Sequence, residues 1–178
     1  EPHLNLYGGE FVTFLDAMKS LKTMPFVSQM AELEWHLDRI GHIHYQPKFN
    51  FEGLAQVDQE QHLNIRFSLA TTCYLQTSNM DLVTLHQDLS SPKTHTVSAN
   101  QEATRYQQRT YILLLQNQRG ESALMALSYL QWTWLAGLQN GFTLAQVCNL
   151  ENTEIEPLMA QITDWVALGI IDAFDHVS

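Results

Sequence analysis

Apolar positions recur at two different periods along this chain, and the change of period divides it. After Gly8-Gly9, the residues Phe11, Phe14, Leu15 and Met18 fall at helical spacing and predict a short amphipathic helix. Pro25 opens a second and stronger one, because proline suits a first helical turn. Its stripe of Phe26, Met30, Leu33, Leu37 and Ile40 steps by four and three, so it should face a core. Gly41 and Pro47 bound its end, and residues 46–61 read as a connection with a short helical piece near Leu54–Val57. The period then falls to two. Leu63, Ile65, Phe67, Leu69, Thr71, Cys73 and Leu75 alternate with Asn64, Arg66, Ser68, Ala70, Thr72, Tyr74 and Gln76. That pattern predicts a long strand, bent or broken, with one face in a core and the other wet.

Asn79 is the expected cap of a short helix holding Leu82, Val83 and Leu85. Residues 88–104, rich in Ser, Thr, Asn and Gln, read as a mobile loop. The run Thr110–Leu115 is apolar throughout and short, as in a strand covered on both faces. A turn at Asn117–Gly120 lets Ala123–Leu127 return as its hairpin partner. Three helices are expected next: Tyr129–Leu138, stopped by Asn140-Gly141; Thr143–Cys148, capped by Thr143; and Thr153–Leu168, capped by Thr153. Gly169 ends the last, and Ile170–Phe174 reads as a final strand. Strand, three helices and strand make the outline of a winged helix-turn-helix. The expected class is α+β: N-terminal helices over 1–61, then a small antiparallel sheet and a winged-helix-like part over 62–178.

Composition adds limits to this outline. Among 178 residues 45% are hydrophobic and 16% charged, which suits a folded chain. No apolar run approaches the roughly 18 residues of a membrane helix, so no membrane partner is expected. Residues Glu1–Glu10 lack a basic segment followed by an apolar run, so no secretory signal is expected. Cys73 and Cys148 have no metal-type spacing and read as buried free thiols of a cytoplasmic protein. The net charge is −10, and every Lys and Arg lies at or before Arg119. The winged-helix end therefore has carboxylates but no cation for phosphate, which argues against a nucleic-acid partner.

Candidate chemistry is sparse. Glu32, His36, Asp38, His42 and His44 cluster in sequence, but no two of these histidines are one helical turn apart, so no metal and no cofactor is expected. No nucleophile motif or phosphate loop is present. The expectation is a chain without catalytic residues. Trp35 shares its helix face with Ser28, Ala31, Glu32, Asp38 and Arg39, so it either marks an interface or packs under the loop at 46–53. Arg66, Tyr74, Arg105 and Arg109 lie in or beside the strands. They either receive a partner peptide or are ordinary surface groups. An extended peptide adds to whichever of the strands 63–76 and 109–116 lies at a sheet edge.

Leu4-Asn5-Leu6-Tyr7-Gly8-Gly9-Glu10-Phe11, Phe14-Leu15, Pro25-Phe26 and Ala31-Glu32-Leu33-Glu34-Trp35 resemble the HvfC/MbnC-type proteins. These are small partners of multinuclear non-haem iron enzymes in modified-peptide biosynthesis. The resemblance continues by pattern through the strands and the winged-helix end. It departs at Asn79-Met80 and Leu85-His86, where the family often has a Pro before the short helix and a Trp inside it. It implies a heterodimer in which the iron-dependent oxidative enzyme holds the metal and this chain helps bind the leader of a precursor peptide. In the methanobactin branch, cysteines of that peptide become oxazolone and thioamide groups. Trp35 and Arg39 then belong to a contact surface, and Arg66, Tyr74, Arg105 and Arg109 to a peptide-holding one. The alternative is a winged-helix DNA-binding regulator.

Overall fold

The computed structural model describes residues 8–24, 26–46, 48–90, 106–117 and 119–176. It has the α+β architecture: helices α1 (Gly8–Ala17), α2 (Phe26–Gly41) and α3 (Phe51–Ala55), then strands β1 (Ile65–Leu69) and β2 (Tyr74–Ser78). Helix α4 (Leu82–Ser90), the hairpin β3 (Thr110–Gln116) and β4 (Ser122–Leu127), helices α5 (Tyr129–Gln139), α6 (Leu144–Leu150) and α7 (Ile155–Ala167), and β5 (Ile171–His176) complete it.

The expected long strand is two strands in two sheets. β1 pairs antiparallel with β5, and β2 joins a second sheet of order β2-β3-β4. Between them Cys73 N–H donates to the Ala70 carbonyl at 2.9 Å, and Ala70 N–H to the Ile170 carbonyl at 2.8 Å. This turn contains neither Gly nor Pro, so the alternation runs through it unmarked. The odd positions Ile65, Phe67, Leu69, Cys73 and Leu75 still all pack on one core. The even face differs between the halves. Arg66 and Ser68 are exposed, whereas Gln76 and Ser78 are buried. Their polar groups are met by α2: Gln76 Nε2 donates to the Gln29 carbonyl and Glu32 Oε2, both at 3.1 Å, and Ser78 Oγ to Gln29 Oε1 at 2.7 Å. That satisfies the Gln76 amide nitrogen and the Ser78 hydroxyl, which would be costly to bury alone, while Gln76 Oε1 finds no partner among the described residues.

The three-stranded sheet lies between two apolar clusters. Ile112 and Leu114 of β3 face the smaller one, with Met30, Leu33 and Ile40 of α2 and Leu82 and Leu85 of α4. Leu113 and Leu115 face the larger one, with Trp134, Leu135 and Leu138 of α5 and Trp165 of α7. A continuous apolar run is what a strand covered on both sides requires. Residues on either side of position 62 share the smaller cluster. Gln116 ties the layers together: its Nε2 reaches the carbonyls of Ile40, Ile43 and Gly120 at 3.1, 2.7 and 3.1 Å.

The C-terminal helices follow the expected outline, with a different wing. β4 pairs with β3, and the partner of β5 is β1, more than a hundred residues earlier. An isolated bridge between Arg66 and Thr143 lies on the other side of β1. Ser128 and Thr143 each begin a helix with a reciprocal cap from Gln131 and Gln146. Two expected caps move. Asp81, not Asn79, accepts from Thr84 N–H at 3.0 Å, and Glu154, not Thr153, is the boundary residue of α7. The expected loop also starts later, since α4 runs to Ser90. Positions 91–105 lie outside the described residues, as do Leu4–Tyr7, Pro25 and Pro47.

Candidate functional site

Three of the residues singled out from sequence converge at the seam of α2 and β2. The Tyr74 ring stacks on His36, with centroids 3.4 Å apart and planes 19° apart. Trp35 lies against the other neighbour of that stack, 4.6 Å from His36. The Arg39 guanidinium sits 5.1 Å from the Trp35 ring centre, a cation–π arrangement. Glu32 closes the seam: Tyr74 O–H donates to its Oε1 at 3.0 Å, and Gln76 takes the other oxygen. Trp35 lies against α1. A Cβ on Gly8 would stand 2.0 Å from Trp35 Cδ1, and one on Gly9 3.4 Å from the same ring. The two glycines are thus the faces that let α1 lie on the indole.

Burial, helped by Arg39, lowers the His36 imidazole to about 4, so it is neutral at physiological pH. Burial, with the bond to Glu32, pushes the Tyr74 phenol up to about 12. Both lie far from neutrality and are poorly matched to proton transfer there. Among the described residues no three His, Cys, Asp or Glu side chains form a metal-sized group. His42 is used locally, its Nδ1 lying 2.8 Å from the Asp38 carbonyl.

The arginines do not form one site. Arg66 projects from β1 opposite Asp175 of β5, and both line a cleft of about 390 Å³ with Ser68, Thr71, Cys73 and Gln139. Arg109 stands at the head of β3, 5.4 Å from the Tyr111 ring centre. Tyr111 itself packs with Tyr129 and Trp132. Arg105 is outside the described residues. Of the two strands weighed for peptide addition, 109–116 offers no edge: β3 is the middle strand, and the open edges among the described strands belong to β2, β4, β5 and the outer side of β1. Cys73, at the floor of the cleft, has its thiol pushed up to about 12 by burial and by Asp172.

Sequence reasoning missed two features. His36 was grouped with metal-type residues, and only its place between apolar stripe positions Leu33 and Leu37 signals burial. The second is a groove between α1 and α4, floored by α2, where Phe11 and Leu89 are 54% and 67% exposed. An amphipathic stripe does not say whether its cover comes from the same chain. On the C-terminal helices, Glu154, Glu156 and Asp164 are exposed, and α7 carries no Lys or Arg. No family model matches the chain, and no curated protein matches it. No described helix is long and apolar enough to cross a membrane.

Proposed function

We propose that this chain is a non-catalytic subunit that pairs with an iron-dependent oxidative enzyme and holds the leader of a precursor peptide. The enzyme holds the iron and converts cysteines of that peptide to oxazolone and thioamide groups, in the cytoplasm and in the methanobactin branch of such chemistry. The observation that carries the reading is the cleft beside β1. The Arg66–Thr143 bridge shows one backbone already laid against the outer side of β1. Just beyond it, Ser68, Leu69 and Ala70 line open space, with Arg66 and Asp175 at hand for charged side chains. An extended peptide gains main-chain hydrogen bonds there, and side-chain selection from the two charges. The helical end at Gly8–Trp35, where the family motifs fall, supplies the contact with the enzyme.

The regulator alternative has the helix order in its favour, but the acidic α7 offers phosphates no cation. A labelled candidate precursor peptide tests the reading by fluorescence anisotropy with the paired proteins. Arg66→Glu should weaken binding roughly ten-fold, about 1.4 kcal/mol. Equal affinity for wild type and variant would remove the cleft from the account.

A further inference from the structure

The groove of α1, α2 and α4 belongs to neither the Trp35 seam nor the cleft. Phe11 and Leu15 of α1 form one wall, and Leu85 and Leu89 of α4 the other. Phe26, Val27, Met30 and Ala31 of α2 make the floor, with Glu34 as the one charged lining residue. The space is about 320 Å³ and open to solvent. Large apolar side chains exposed together on neighbouring helices mark a surface that another molecule covers. Apolar walls from two helices over a helical floor suit the apolar face of one more helix.

Charge selects the kind of helix. Glu34 lines the groove, exposed Glu10 stands on α1 beside it, and the segments Gly8–Ala17, Phe26–Glu34 and Leu82–Ser90 hold not one Lys or Arg, while Glu32 and Asp88 are engaged by Tyr74 and Tyr106. Such a rim repels an anionic bilayer and an equally acidic second copy, and attracts a cationic segment. We infer that this groove docks a basic amphipathic helix of a partner protein, its apolar stripe on Phe11, Met30 and Leu89 and a Lys or Arg beside Glu34. The inference rests on the partner-protein reading above and deepens it by naming the surface and the chemistry of the contact.

A fluorescein-labelled Leu/Lys amphipathic peptide of about 18 residues, some five turns, is the probe, with a Leu/Glu peptide of the same pattern as control. Anisotropy is read against the full chain and against Leu89→Glu, Phe11→Ser and Glu34→Lys. Leu89 and Phe11 are exposed, so these variants keep the fold, which their urea midpoints check. The Leu/Lys peptide should bind wild type and lose roughly ten-fold or more affinity with each variant. Leu89→Glu is the sharpest arm, because it makes the chain more acidic. Attraction to net charge alone would strengthen binding there, and that result overturns the inference. So do absence of binding to wild type, equal binding of the Leu/Glu peptide, preferential binding to phosphatidylserine vesicles, and self-association that Leu89→Glu abolishes. Pairing with the iron enzyme is read separately, by co-elution of the two whole proteins. Failure of the peptide therefore overturns the groove assignment and leaves that reading standing.

Discussion

Acid should unfasten α2 from β2 through a single side chain. His36 is 8% exposed and stacked on Tyr74, and its imidazole is held near 4 in the fold against 6.5 in the unfolded chain. Above about pH 6.5 the ring is neutral in both states, and its contribution to stability is complete. Between 6.5 and about 4 the unfolded chain takes up a proton that the fold refuses, so stability falls. Below about 4 both states carry the proton and nothing further is lost. The interval from 6.5 to about 4 is worth roughly 3 kcal/mol at about 1.4 kcal/mol per pH unit. Carboxylates also titrate there, so the comparison must cancel them. His36→Phe keeps a ring against Tyr74 and removes the titrating nitrogen. Urea unfolding of both proteins at about pH 7 and about pH 4 should show wild type losing roughly 3 kcal/mol more than the variant. Any cost of fitting the larger ring is common to both pH values and drops out. Parallel losses in the two proteins would refute the argument, and with it the placement of His36 in the seam.

Other expectations follow from single contacts. Gly8→Ala drives a methyl group into Trp35 and should lower stability by about 1–3 kcal/mol, read as a fall of several degrees in Tm. Gln116→Leu leaves the carbonyls of Ile40, Ile43 and Gly120 without that donor and should cost about 1–3 kcal/mol in urea unfolding. Thr143→Ala removes a reciprocal cap from α6 and should cost about 1 kcal/mol by the same assay. Cys73, with its thiol near 12, should stay unreactive to a disulfide reagent at mildly alkaline pH and react once urea unfolds the chain; rapid native labelling at Cys73 would contradict its burial.

The sequence made some of this legible. Local signals were reliable where one residue type does one job. The α2 stripe, the doubly covered β3 run, the Thr143 cap, and Gly120, Gly141 and Gly169 at positive φ all appear at or near their expected places. Pairing was less legible. Nothing local distinguishes β4 from β1 as the partner of β5, because that choice depends on how the two cores close around distant segments. The break between β1 and β2 left the odd-position alternation intact, so a period of two could not reveal it. Of the candidate site, sequence located Trp35, Arg39 and Tyr74 but gave no reason to join them. The stack forms because Glu32, one turn before His36, anchors Tyr74 across the seam. Arg66 and Arg109 looked alike in sequence, yet one lies in β1 and the other just before β3 of the second sheet, since the turn at Ala70–Cys73 moves the chain from one sheet to the other.

The accessory role is tested most directly by peptide conversion. The candidate iron enzyme is incubated with its precursor peptide and dioxygen, alone and with an equimolar amount of this chain, and the product is read by mass spectrometry. The account predicts modified cysteines with the pair and little or none with the enzyme alone. Full conversion by the enzyme alone would contradict it.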